Sequence, residues 1–290
     1  MLQDFPIALM PELPEVETIA RQLCRVFAHQ KIVSVLLRRS NLRRPFPQQM
    51  AERIAGNRID TIRRRGKYML ASLSSGETLI IHLGMSGIFR FVPSNSDQDP
   101  TFMCGPHDHV VFVLENTWQA IYRDPRRFGL MDLVPSAEAN SHPLIASLGV
   151  EPFSANFDAD YLAGALRDRQ GPIKSALLDQ RLIAGLGNIY ACESLWRAGI
   201  SPRRRCNRIA FHRIVRLVDC IHAVLREAIA AGGSTLRDHK LPDGARGYFQ
   251  HHFQVYAQDG KPCPSPKCSG KITKIVQSGR SSFYCRLCQR

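Results

Sequence analysis

The run Met10-Pro11-Glu12-Leu13-Pro14-Glu15-Val16-Glu17 sets a proline and closely following carboxylates just ahead of an apolar-periodic stretch. At a chain terminus proline is a secondary amine, able to attack C1′ of a deoxyribose and form an iminium ion. Inside a chain the same nitrogen is an acylated amide and no nucleophile. Nine residues precede Met10, so this chemistry requires an active chain that starts at Pro11. Either Met10 is the true start and is removed, or the leader is cleaved, or the chemistry is absent.

Four cysteines crowd the C-terminus. Cys263-Pro-Ser-Pro-Lys-Cys268 is followed, after a sixteen-residue spacer, by Cys285-Arg-Leu-Cys288. Two such pairs joined by a hairpin can place four thiolates at the corners of a tetrahedron, which fits one structural Zn2+. A redox dithiol is disfavoured, because Cys263 and Cys268 are too far apart for a simple C-x-x-C. The other cysteines, at 24, 104, 192, 206 and 220, are scattered.

Four further segments combine glycine turns with polar or apolar side chains. Arg280, near the tip of the expected hairpin, is either a phosphate clamp or an ordinary solvated arginine. Gly185-Leu-Gly-Asn188 leads into a helix, a geometry that suits a phosphate and equally a tight packing joint. His82-Leu-Gly-Met85-Ser-Gly87 and Asp124-Pro-Arg126-Arg127-Phe128-Gly129 each follow a strand. Met85 and Phe128 taken singly read as core residues; beside arginines on turns they also suit insertion into the gap left by an extruded base.

These residues need elements to hold them. Apolar spacing predicts a helix from Pro14 to about Phe27, with Pro14 in its first turn. Strands are expected near 31–37, 58–64, 68–73, 78–83, 88–92, 109–114 and 120–123, a β-sandwich or barrel. After a linker, helices are expected over 159–167, 172–179, 189–198 and 209–231, the last stopped by Gly232-Gly233. With 39 Lys and Arg against 25 Asp and Glu the formal charge is +14, which points to a polyanionic partner. At 290 residues and 44% hydrophobic content the chain can bury a large core and is no disordered basic tail. Lacking a signal-peptide core and any long apolar span, it is expected to be cytoplasmic and not membrane-bound.

Taken together with Lys67-Tyr68, Gly187-Asn-Ile-Tyr-Ala191 and Phe283-Tyr-Cys-Arg-Leu-Cys288, these motifs resemble bacterial formamidopyrimidine-DNA glycosylase, in order from Met10 to the C-terminus. The resemblance implies an α+β chain: an N-terminal β-sandwich catalytic domain (10–142), a linker (143–158), a helix-two-turns-helix domain (159–250) and a zinc finger (251–290), with residues 1–9 absent from the active form. DNA would lie across the cleft between the domains. Pro11 would be the nucleophile, Glu12 the acid assisting sugar-ring opening and Glu15 a support, with β- and then δ-elimination cutting the strand.

By the same carry-over Lys67, His82, Asn188 and Arg280 would grip phosphates, with Lys67 and Arg280 as proton donors in the eliminations. Met85, Arg126 and Phe128 would fill the void of the flipped nucleotide, Arg126 facing the orphaned cytosine. His107 and Arg169 match further DNA-contacting positions, and Ser234–Tyr248 would be a lid over the extruded base. The partner would be double-stranded DNA carrying oxidised bases or abasic sites, bound by a nucleoid-associated monomer. The first cysteine pair departs from the family in having four intervening residues where two are usual. Alternatives are an endonuclease VIII-like enzyme for oxidised pyrimidines, a non-catalytic damaged-DNA-binding protein that retains Met1, and a zinc-ribbon transcription accessory.

Overall fold

The computed structural model describes residues 10–93, 104–234 and 248–290. Contacts divide the chain into two units, Met1–Ala146 with Gly232–Gly247, and Ser147–Ala231 with Tyr248–Arg290. None of the described helices is long and apolar enough to cross a membrane.

The first unit opens with α1 (Leu13–Phe27). Glu12 and Glu15 form a reciprocal capping box, the Glu12 N–H donating to Glu15 Oε2 at 2.9 Å. Val16, Ile19, Ala20, Leu23 and Phe27 recur on one face and are buried in the core. Then come β1 (Ile32–Leu37), the single-turn α2 (Met50–Ile54), β2 (Ile59–Arg65), β3 (Tyr68–Leu73), β4 (Glu77–His82), β5 (Ile88–Pro93), β6 (Asp108–Leu114), β7 (Trp118–Arg123) and β8 (Leu130–Pro135). They form two four-stranded sheets, β1-β6-β7-β5 and β2-β3-β4-β8, with every pairing antiparallel.

This sandwich topology sets up two crossing turns. The segment 83–87 carries the chain from β4 in one sheet to β5 in the other, and 124–129 carries it back from β7 to β8. Because β4 pairs with β8 (His82 opposite Leu130) and β5 with β7 (Ile88 opposite Arg123), the two crossings must lie side by side. The sequence pattern predicts neither β8 nor α2. The helix is five residues long, too short for a period to register.

At the end of the first unit, α3 (Pro143–Ala146) forms a helical turn where a plain linker is expected. In the second unit Val150 forms a parallel bridge with Ile183. The following helices are α4 (Ala159–Leu166), α5 (Ile173–Leu177), α6 (Asn188–Arg197) and α7 (Phe211–Ala230). Asp158 caps α4 through the Tyr161 N–H at 2.7 Å. The chain ends in a hairpin of β9 (Ile272–Gln277) and β10 (Arg280–Cys285).

Candidate active site and nucleic-acid interface

Pro11 is buried immediately before α1, and its orientation follows from what fixes its neighbours. Glu15, 5% exposed, accepts the Glu12 N–H on one oxygen. Its other oxygen accepts both the N–H and the hydroxyl of Ser234 at 2.8 Å. Three donors on one buried carboxylate offset its desolvation and lock the peptide joining Pro11 to α1. Gly233 is required here: its φ is +78°, and a Cβ would sit 3.2 Å from Glu15 Oε1. Glu12 itself is only 3% exposed.

One turn along α1, Glu17 accepts from Arg64 Nε at 2.9 Å and from Arg21 at 2.8 Å. Burial pushes the Glu17 carboxyl up, but the hydrogen bonds and charges of Arg64 and Arg21 outweigh it and hold the group below its ordinary value. Arg64 also donates to the Gly66 carbonyl at 3.1 Å. It thereby ties α1 to the Gly66-Lys67 turn between β2 and β3, on which Lys67 stands.

The register places Tyr68 opposite His82, their rings 4.7 Å apart. Burial, with the charges of Lys67 and Arg43, lowers the His82 pKa to about 4, so the ring is neutral at physiological pH. Its Nδ1 accepts the Gly84 N–H at 3.0 Å, so the proton sits on Nε2. His82 is thus a neutral donor beside the Lys67 cation.

The two crossing turns are interlocked. A Cβ on Gly84 (φ +64°) would meet the Phe128 backbone, one on Gly87 the Leu83 carbonyl and the Tyr122 hydroxyl, and one on Gly129 the Tyr122 hydroxyl and Asp124. Asp124, fully buried, is the hub. Its carboxylate accepts from the Ser86 hydroxyl at 2.5 Å and from the Gly129 N–H at 2.8 Å, and Ser86 in turn accepts the Arg126 N–H at 3.1 Å. The Asp124 N–H donates to the His107 carbonyl at 3.0 Å. Arg127 takes φ +58° to complete the turn. What emerges is an exposed pair, Arg126 over the Phe128 ring at 5.0 Å, with Phe128 46% exposed and Met85 half-buried on the facing turn.

In the second unit Asn188 is the first residue of α6, and its Nδ2 donates to the Ser281 carbonyl at 3.0 Å. The buried Lys174 of α5 donates to that same carbonyl at 2.8 Å and to the Ser282 hydroxyl at 2.6 Å. Both helices therefore hold the strand that begins with Arg280. Ser278 (φ +47°) and Gly279 (φ +73°) form the two-residue turn before Arg280, whose side chain is exposed at the hairpin tip. Glu193, buried in α6, accepts the backbone N–H groups of Gln254, Val255 and Tyr256 at 3.1, 3.0 and 2.8 Å. Arg169 lies elsewhere on this unit, exposed and 3.4 Å from Asp179.

The four C-terminal cysteines converge. All four Sγ atoms lie within 4.8 Å of one another, with Cys263–Cys288 and Cys268–Cys285 at 3.7 Å. Sulfurs at ~2.3 Å from a tetrahedral zinc are separated by about 3.8 Å along each edge, so the donor set fits the ion. The wider first knuckle is accommodated by Lys267 at φ +63° and by a Gly270 N–H that donates to Cys268 Sγ at 3.4 Å.

A family model for the formamidopyrimidine-DNA glycosylase N-terminal domain matches residues 10–131. Models for the helix-two-turns-helix domain of the same enzyme and for a zinc finger found in it and in isoleucyl-tRNA synthetase match residues 148–240 and 260–290. The chain belongs to the formamidopyrimidine-DNA glycosylase family. A curated member from Ruegeria pomeroyi is 52% identical over 285 residues, covering 97% of this chain and 100% of the relative. A solved structure of a Lactococcus lactis member, a mutant in complex with DNA containing Fapy-dG, superposes with TM-score 0.87 at 34% identity, covering 97% of this chain and 100% of that one. Another, a Lactococcus lactis member with DNA containing an abasic site, gives TM-score 0.86 at 35% identity over 96% and 99% of the two chains.

Within the family's architecture, the first unit brings together Pro11, Glu12 and Glu15, and separately Lys67 with His82, and Met85 with Arg126, Phe128 and the His107 backbone. The second brings together Asn188 and Arg280, while Arg169 stands apart from them. Of the expected lid, only Ser234 and Tyr248 fall within the described residues. Sequence reasoning missed the roles of Ser86, Lys174, Glu193 and Ser234. Lys174 and Glu193 did leave a signal: each is a charge on the apolar stripe of a helix, a place that demands fixed partners.

Proposed function

We propose that this chain is a bifunctional DNA glycosylase and AP lyase that excises oxidised purines such as 8-oxoguanine and formamidopyrimidines from duplex DNA, acting as a monomer at the nucleoid. The observation that carries the reading is Pro11 held at the start of α1 by the buried Glu12–Glu15–Ser234 network. In an active chain that has lost residues 1–9 and Met10 and so begins at Pro11, its amine attacks C1′, the base departs with the N-glycosidic electron pair, and an iminium forms. Glu12 delivers the proton that opens the sugar ring. The iminium acidifies C2′–H, so proton loss expels the 3′ phosphate; a second elimination expels the 5′ phosphate.

Lys67 and Arg280 supply protons to these leaving groups, and neutral His82, through Nε2–H, joins Asn188 in holding phosphates. Arg126 faces the unpaired cytosine with Met85 and Phe128 filling the gap, and His107 and Arg169 make further contacts to the DNA. Zn2+ held by Cys263, Cys268, Cys285 and Cys288 supplies the fold of the hairpin that presents Arg280.

Borohydride trapping on an 8-oxoguanine duplex, followed by peptide mapping, tests this. The expected adduct is on the amino group of Pro11 in a chain whose mass begins there. An adduct elsewhere, or trapping by a chain retaining Met1, overturns the nucleophile. Preferential trapping on thymine glycol overturns the purine assignment.

A further inference from the structure

The stretch Arg203–Arg216 holds six arginines and no carboxylate. Its first part is built as a ribbon against the segment carrying Arg169. The Ile173 N–H donates to the Arg204 carbonyl at 2.8 Å, the Cys206 N–H to Gly171 at 3.0 Å and the Asn207 N–H to Arg169 at 3.1 Å, with Pro172 bridged to Arg205. Cys206, 2% exposed, anchors the ribbon inward, while Arg203, Arg205 and Arg208 stand exposed on it. Among the described residues no ion pair engages these three side chains. On the facing segment Asp168 is exposed beside Arg169 in sequence, and Asp179 is shared by Arg169 and Arg181. Burial first, then the charges of Arg204 and Arg216, hold the Arg213 guanidinium further along the same stretch below its ordinary range.

We propose that Arg203, Arg205 and Arg208 form a second phosphate-binding surface that grips the duplex flanking the lesion, continuous with the contact assigned to Arg169. The surface fits a polyanion by charge, and its backbone link to the Arg169 segment selects duplex DNA over an acidic protein. It rests on the proposed function. Exposed arginines that displace counterions are read as a salt slope of about 0.9 per phosphate neutralised.

The triple variant R203Q/R205Q/R208Q and wild type are compared by anisotropy on a 30-base-pair duplex with a central abasic analogue, from 50 to 200 mM salt. The slope of log affinity against log salt is expected to fall by about 2 to 3 in the variant and to be restored by the triple lysine variant, with single-turnover excision at saturating enzyme unaltered. Equal slopes for variant and wild type overturn the proposal. Should the triple variant unfold, R205Q alone is expected to lose about one unit of slope, and no loss overturns it. An undamaged 30-base-pair duplex separates the two readings. If trapping at Pro11 fails but the slope difference persists there, the proposed catalysis falls and the surface stands.

Discussion

Arg126 and Arg280 are both exposed arginines at the tips of turns, one in each unit, yet the two turns are held by opposite means. The turn of Arg126 is closed by the chain alone: Asp124 and Ser86 bond its backbone, and Gly84, Gly87 and Gly129 let two crossings touch. The turn of Arg280 stands on a two-stranded hairpin, a structure marginal by itself, closed by four thiolates at its base and by Lys174 and Asn188 at its edge. Packing holds the first, and a removable ion is needed for the second. The two arginines should therefore fail under different insults.

The largest effect is expected from Cys285→Ser. Loss of one thiolate removes the ion and with it the hairpin's folding energy, so DNA affinity should fall to the non-specific level, a drop of about 1,000-fold or more. Metal content and anisotropy measure it, with the first unit's melting transition as the internal standard. Tight binding by the zinc-free variant would mean that packing alone suffices for both turns.

Gly129→Ala attacks the other turn. The added carbon would overlap the Tyr122 hydroxyl, itself buried between Gly87 and Asp124. The cost should exceed ordinary overpacking and reach about 4 kcal/mol in thermal unfolding of the first unit, with zinc content unchanged. A loss below ~1 kcal/mol would show that the crossing has slack.

A smaller effect, and one specific to the first unit, comes from acid. His82 has a pKa of about 4 in the folded chain against 6.5 unfolded. Between those values the unfolded state binds the extra proton, so stability is full above about pH 6.5 and is lost as pH falls toward 4. The loss is on the order of 3 kcal/mol. Urea unfolding at successive pH values measures it, and His82→Gln should flatten that part of the profile. An unchanged profile would remove His82 as its source.

Much of this contrast is legible in the sequence. The apolar period from Val16 to Phe27 marks α1 to within a residue, and cysteine spacing marks the zinc ligands, because both are local patterns. The glycines at 84, 87 and 129 are visible as turn residues, but what they make room for is not. The crossing depends on which strands pair, and β8 leaves no pattern strong enough to predict it. Glu193, Lys174 and Ser234 escape for a related reason. Each satisfies backbone groups or carboxylates 60 or more residues away in sequence, such as Ser234 on Glu15 and Lys174 on Ser281. No window along the chain contains both partners.

The crossed turns also behave as one heritable cassette. Gly84 leaves room for the backbone of Phe128, and Ser86 answers Asp124, so neither half of the lock has value without the other. A chimaera with a relative whose breakpoint falls between residues 87 and 124 would join halves cut for different partners, whereas one that moves 82–130 intact carries its own lock. Anyone seeking to exchange these two loops between relatives must therefore move them together.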